Sequence, residues 1–282
     1  MIRKFFLVLS VFLLVSCVYT EREDITALSR MGGEGKAVIT IDVSAMKESG
    51  FSALLPENEL FSRLDRVSLE LAPTGAGYPL PLSDWNVTGT ANGLLSSTEV
   101  GTLLIWNPDF IRAKDGPRHY VNKESGISAG VPEDGIVLFT TSDYSDAYSA
   151  LLKDPVRMDE AIYTAMTDSL AAIYMDKPET LPPLGFDIPK ETVAKIESIL
   201  LLLGEGYGCF NLYGEIGMDT EGSARTLCTF LRNLLVQEIR RSGERLDVKA
   251  LSNIFTYEES SVVISGYKLS YDNVSALLTK EN

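Results

Sequence analysis

Asp143-Tyr144-Ser145-Asp146-Ala147-Tyr148-Ser149-Ala150-Leu151-Leu152 is repeated in outline by Leu269-Ser270-Tyr271-Asp272-Asn273-Val274-Ser275-Ala276-Leu277-Leu278. Each stretch follows an apolar run, Ile136 to Phe139 and Val262 to Ile264, and each ends in Ser-Ala-Leu-Leu. Moving towards the N-terminus, Trp85-Asn86-Val87-Thr88-Gly89 matches Phe210-Asn211-Leu212-Tyr213-Gly214. Before these stand Gly75-Ala76-Gly77-Tyr78 and Gly204-Glu205-Gly206-Tyr207. Leu64-Asp65-Arg66-Val67 then answers Ile196-Glu197-Ser198-Ile199, and Ile39-Thr40-Ile41-Asp42 answers Ile173-Tyr174-Met175-Asp176. Matches that keep one order, with only small insertions between them, point to a diverged tandem duplication. The copies are residues 37–152 and 171–278, the second running on to the chain end at 282.

Hydrophobic periodicity gives the unit its order. In the second copy, strand 171–176 leads through a Pro-rich turn to a helix over 190–198. Ile199 to Leu203 is an apolar run of strand length, and Gly204-Glu205-Gly206 is expected to turn it back into strand 209–216. Asp219-Thr220-Glu221 opens a long helix, 220–241, with Ala224, Leu227, Leu231, Leu234, Leu235 and Ile239 at helical spacing. Strands near 253–257 and 261–267 and a closing helix at 272–279 complete it. The first copy shows a shorter second helix, near 97–105, and a bridging helix is expected within 153–170. The resulting β-α-β-β-α-β order resembles the ferredoxin-like split β-α-β, which implies an α+β fold of antiparallel sheets with helices on one face.

The first 16 residues have a different character. Arg3 and Lys4 precede an apolar run from Phe5 to Val15 that is too short to span a bilayer, which takes roughly 20 apolar residues. Leu14-Val15-Ser16-Cys17 resembles the lipobox of bacterial lipoproteins. That resemblance implies cleavage after Ser16, a diacylglyceryl group on the Cys17 thiol and fatty acids such as palmitate as the membrane anchor. It also implies a location outside the cytoplasm. Val18, which is not Asp, permits the outer membrane in a diderm cell. Residues 17–36 then form a lipidated tether ending in Met31-Gly32-Gly33-Glu34-Gly35, a composition that reads as flexible.

Removing Arg3 and Lys4 with the leader leaves 23 basic residues against 39 acidic, a formal charge of −16. Such a surface repels nucleic acid and anionic headgroups and keeps the body soluble. Two cysteines remain in the body, Cys209 and Cys228. A bridge between them is conceivable outside the cytoplasm, but two buried thiols acting as small hydrophobes are the preferred expectation.

Catalytic constellations are missing. His119 is the sole histidine, so neither a zinc site nor a second imidazole is available, and Cys-x-x-Cys does not occur. Gly126-Ile127-Ser128-Ala129-Gly130 has the spacing of a nucleophile elbow, but Val131-Pro132 follows where a helix should start, and no histidine comes after it. The glycines at 32–35 and 204–208 do not lead from a strand into a helix N-terminus and hold no phosphate. Asp42 and Asp176 occupy equivalent places in the two copies; a working carboxylate pair stands against simple caps or turn bonds. No cofactor and no metal is expected.

One charged feature opposes the acidic whole. Arg225, Arg232, Arg240, Arg241, Arg245 and Lys249 outnumber Glu238, Glu244 and Asp247 over this segment, giving a net +3. Cations at a helix C-terminus complement its dipole. The sharper alternative is that Arg232, Arg240, Arg241 and Arg245 contact a membrane or an acidic partner. The expectation from sequence is a non-enzymatic envelope lipoprotein that binds a protein or an apolar ligand. The alternatives are a peripheral membrane-inserting protein using helix 220–241, and a hydrolase built on carboxylates.

Overall fold

The computed structural model describes residues 27–49, 62–181, 188–206, 209–242 and 253–269. The leader, Cys17, the start of the tether and the expected closing helix at 272–279 lie outside the described residues. Twelve strands form one sheet: β1 (Ala37–Asp42), β2 (Leu64–Pro73), β3 (Trp85–Gly93), β4 (Phe110–Arg112), β5 (Tyr120–Asn122), β6 (Ser128–Glu133), β7 (Ile136–Thr140), β8 (Ala171–Asp176), β9 (Ile196–Gly206), β10 (Cys209–Met218), β11 (Phe255–Glu258) and β12 (Ser261–Leu269). Their spatial order is β11-β12-β10-β9-β8-β1-β2-β3-β7-β6-β5-β4, and every paired neighbour runs antiparallel. Six helices accompany them among the described residues: α1 (Val43–Glu48), α2 (Ser97–Trp106), α3 (Tyr144–Leu152), α4 (Glu160–Thr167), α5 (Lys190–Val193) and α6 (Glu221–Ser242).

The fold is α+β with a predominantly antiparallel sheet, as the resemblance to the split β-α-β implies. The ferredoxin-like interleaving does not occur. A split β-α-β separates two parallel strands by a third, whereas here β1, β2 and β3 are successive neighbours, as are β8, β9 and β10. Helices α1 and α5 have six and four residues, too short to carry a crossover to a parallel strand. The free edge of β1 instead pairs with β8, and two expected sheets become one.

The centre of that sheet is symmetric in register. Ile39 pairs with Ile173 across β1 and β8. Ile39 then faces Leu69, Leu69 faces Gly89, and Gly89 faces Phe139. On the other side Ile173 faces Leu201, Leu201 faces Gly214, and Gly214 faces Ile264. Thus Ile39, Leu69, Gly89 and Phe139 are matched with Ile173, Leu201, Gly214 and Ile264 about a local twofold axis between Ile39 and Ile173, whereas residues 75–78 lie outside the strands and Gly204-Glu205-Gly206 within β9. The first half carries an addition the periodicities did not anticipate, the hairpin β4–β5, which extends the sheet beyond β6.

Several boundaries shift. The helix expected over 190–198 stops at Val193, and Ile196 already belongs to β9. Gly204-Glu205-Gly206 does not form the turn; these residues still pair with β10, Gly206 opposite Cys209. Backbone pairing outweighs the weak strand preference of glycine there. The long helix spans Glu221–Ser242, close to the expectation.

Helices cover both faces, which the one-sided expectation did not foresee. On one face α6 lays Ala224, Leu227 and Leu235 into a cluster with Ile199, Ile216, Val262 and Ile264, while Val100 of α2 joins Val43, Leu64 and Leu95. On the opposite face α3 and α4 bring Tyr144, Leu151 and Met166 against Val38, Leu138 and Ala172. This second face also carries polar side chains. Arg66 donates to the Asp42 carboxylate and the Thr167 carbonyl at 2.9 Å each, and Thr40 and Ser68 hydroxyls lie 3.1 Å apart.

Ala27 to Lys36 is not loose. Ala27, Leu28 and Met31 are essentially fully buried on the α3–α4 face. Gly32 donates its N–H to Glu70 Oε2 at 2.7 Å, and the Lys36 ammonium pairs with Glu70 Oε1 at 2.7 Å. Glycine-rich composition reads as a linker. The left-handed φ of Gly32, Gly33 and Gly35 (98°, 120° and 77°) shows these glycines shaping a turn instead.

Candidate functional site

The expected cationic contact on α6 separates into parts. Arg232 is committed to the fold: its Nε and one terminal nitrogen donate to the Phe255 carbonyl at 2.9 and 2.6 Å, tying α6 to β11. Cys228 sits beside it with Sγ 3.5 Å from the same oxygen, and burial pushes its thiol pKa up against the opposing effect of Arg232. Arg240 is exposed, and the side chain of Arg241 and the whole of Arg245 lie outside what is described. Leu227 and Leu235 are buried in the cluster on the sheet, Leu231 is half-buried against it, and Leu234 is half-buried. The apolar stripe of α6 is therefore spent on the sheet. Cys209 and Cys228 are free thiols.

The candidate chemical residues also do not converge. His119 is buried, its ring stacked on Tyr144 at a centroid distance of 4.3 Å with 10° between planes. Its Nδ1 lies 2.7 Å from the Pro117 carbonyl, which can only accept, so Nδ1 carries the hydrogen. Burial pushes the Tyr144 phenol far above its ordinary pKa, with a smaller push from Tyr148. Ser128 is buried within β6, with no helix after it. Asp42 caps α1 through the Ala45 N–H at 2.8 Å and pairs with Arg66. Asp176 sits at the other end of the β1–β8 pair, its carbonyl accepting from Gly35 N–H at 2.8 Å. Symmetry about Ile39 and Ile173 drives the two aspartates to opposite ends, about 20 Å apart along the strand direction. A shallow, open depression of about 660 Å³ on α4 is edged by Asp159, Glu160 and Asp168, and Asp159 is occupied capping the helix through Ala161 N–H at 2.8 Å. Among the described residues no group of three or more His, Cys, Asp or Glu is placed to hold a metal.

What stands out instead is α2. Its start is secured twice: Ser96 Oγ accepts from Glu99 N–H, and Asp134 accepts from Ser97 N–H at 2.7 Å. That second bond, with the Ser97 hydroxyl, holds the Asp134 carboxyl below its ordinary 3.8. A folded-state pKa below the unfolded one contributes stability above 3.8 that is lost as pH falls through the lowered value. The protection of amides in the first turn of α2, relative to their intrinsic exchange at each pH, is expected to fall over that acidic range in the wild type and to be already low at neutral pH in Asp134→Ala. Equal protection at both pH values would show that Asp134 does not hold α2.

The helix ends in Leu103-Leu104-Ile105-Trp106, four apolar residues in a row. At about 100° per residue such a run wraps most of the helix, so it cannot all face the sheet. Val100 and Leu104, one turn apart, face inward. Trp106 is left 80 % exposed, Leu103 56 % and Ile105 55 %. Beside them, on edge strand β4, Ile111 is 52 % exposed, and Leu94 before the helix 70 %. Arg112 and Lys114, exposed on the adjoining hairpin, add positive charge in an otherwise acidic molecule. The signal for this patch was present in the sequence as an apolar run lacking helical periodicity.

No protein-family model matches the chain, and no curated protein matches it in sequence. Among solved structures the fold resembles that of TP0453. Crystal form III of TP0453 superposes with a TM-score of 0.57 at 10 % identity, covering 89 % of this chain and 97 % of TP0453. Crystal form I gives 0.56 at 11 % identity, covering 90 % and 96 %. Nearly the whole of TP0453 is therefore matched, so the long sheet and its helices are shared as one architecture. At this identity the likeness to TP0453 concerns the fold alone.

Proposed function

We propose that this chain is a lipid-anchored envelope protein that works as a non-enzymatic binding module, and that its contact surface is the apolar patch on α2 and β4. The single observation that carries the reading is the exposure of Leu103, Ile105 and Trp106 beside Ile111. Soluble monomers rarely leave several large apolar side chains together in water unless something covers them. Trp is the residue most often found as an anchor at such contacts. The dispersal of His119, Ser128, Asp42 and Asp176 into structural tasks supports a role without catalysis. The matched register about Ile39 and Ile173 supports reading the two halves as a tandem duplication, with β4–β5 and the α2 patch as the part that diverged.

The test is recovery of the lipidated protein from its own membrane with and without the Leu103→Glu and Trp106→Glu substitutions. Proteins that accompany the wild type are expected to be lost from the double variant, with the melting temperature unchanged. Equal recovery would remove the patch from the function. A second reading has the same patch, with Arg112 and Lys114, resting on a bilayer. Vesicles of anionic phospholipid separate the two. Binding of an unlipidated chain, with a blue shift of Trp106 fluorescence, supports the bilayer; no binding supports a protein partner.

The anchor itself is tested by Cys17→Ser. This variant is expected to remain as an uncleaved or miscleaved precursor without label from radioactive palmitate. Normal maturation and membrane retention of Cys17→Ser would end the lipoprotein reading.

A further inference from the structure

The segment Ala27–Met31 has no regular strand or long helix of its own, yet it lies deeper than most of the sheet. It occupies a trough between α3, α4 and the sheet, with Leu28 and Met31 each 1 % exposed among Val38, Leu138, Leu151, Met158 and Met166. Its polar contacts are those of a bound peptide. The Ser29 carbonyl accepts from the N–H groups of Arg157 and Met158 at 2.9 Å each. Between the two apolar anchors, Arg30 reaches carbonyls at the end of α3, Nε to Asp154 at 2.5 Å and a terminal nitrogen to Leu151 at 3.3 Å. Cations are favoured on the free carbonyls of a helix C-terminus. The seat thus selects an apolar residue, a spacer, a cation and a second apolar residue. Within the described residues the segment joins the body only through Gly32-Gly33-Glu34-Gly35, where three glycines adopt left-handed φ.

We propose that this trough is a peptide-binding groove, filled here by the chain's own strap, and that the strap of a second copy of this chain can take the same seat. The occupant follows from the contacts. A segment with the pattern of Leu28, Arg30 and Met31 satisfies both the apolar floor and the helix-end carbonyls, and every other copy carries one. Exchange of an identical element across a hinge replaces each contact with its twin and needs no new interface. Copies anchored in one membrane would meet at high effective concentration. The groove is separate from the α2 patch, and the failure of either leaves the other standing.

The test uses the full mature-length chain carrying Leu28→Asp and Met31→Asp, which cannot seat its own strap. Its melting temperature is expected to fall by about 10 °C. A synthetic peptide of residues 25–36 should bind this variant, raise its melting temperature by several degrees, and bind the wild type at least ten-fold more weakly. Mixed with a chain whose groove is blocked by Met158→Arg but whose strap is intact, the variant should form a one-to-one heterodimer in sedimentation, while each alone stays monomeric. A double variant that melts like the wild type overturns the proposal. So does a destabilised or unfolded variant that neither the peptide nor the groove-blocked chain rescues.

Discussion

Leu227→Ala is expected to lower the free energy of unfolding by about 2–5 kcal/mol. Leu227 is 1 % exposed and sits in the cluster that α6 forms with Ile199, Ile216, Val262 and Ile264. Truncation removes apolar area from the core and leaves a cavity that the sheet beneath, pinned by its hydrogen bonds to both neighbours, cannot close. Denaturant unfolding followed by far-UV circular dichroism reads the change as a lower midpoint with an unchanged slope. Leu234→Ala should cost clearly less, because its side chain is only half-buried, and Arg240→Glu close to nothing, because Arg240 is exposed. Equal effects at Leu227 and Leu234 would mean that α6 does not pack as described. A loss confined to binding, with stability intact, would return α6 to the role of a contact helix.

Gly89→Val and Gly214→Val are expected to cost about 3 kcal/mol each, at the high end for an overpacked interior. A Cβ at Gly89 would lie 2.6 Å from the Ser68 carbonyl and 2.8 Å from Leu69 Cδ2. At Gly214 the same atom would lie 2.5 Å from the Leu200 carbonyl and 2.8 Å from Leu201 Cδ2. Neither clash is with the far end of a flexible side chain alone, so the backbone itself must shift. The sites are five strands apart, roughly 24 Å, so the double variant should lose the sum of the two within a few tenths of a kcal/mol. One glycine tolerant and the other intolerant would mean that the likeness of the two halves is not structural at these positions.

The legible parts of this molecule were those that depend on neighbours in sequence. An apolar run of strand length marked β8, spacing of three and four marked the α6 stripe, and the match of Gly89 with Gly214 reappeared as a match of register. The candidate site was legible only in part. Leu103-Leu104-Ile105-Trp106 lies in the helix expected near 97–105, but which of its side chains faces water depends on the placement of that helix over β4 and β6. The patch is completed by Ile111, on a hairpin whose three-residue strands are too short to register as a periodic signal. Arg232 illustrates the opposite limit. Its position among other cations suggested an outward contact, and a carbonyl of Phe255, 23 residues away, claimed it.

By itself the sequence determined the secondary-structure type of segments such as β8 and α6 and the α+β class, because composition and period are local properties. The tertiary structure alone decided that the two halves of the chain share one sheet. The edge of β1 offers the same backbone donors and acceptors to any strand, and its pairing with β8, Ile39 opposite Ile173, is visible only in the fold. It decided likewise that Ala27 to Lys36 packs against the body as a strap. Most of the cluster that buries Leu28 and Met31, including Leu138, Leu151 and Met166, lies more than a hundred residues away, and glycine-rich sequence carries no record of a groove that forms when those distant residues meet.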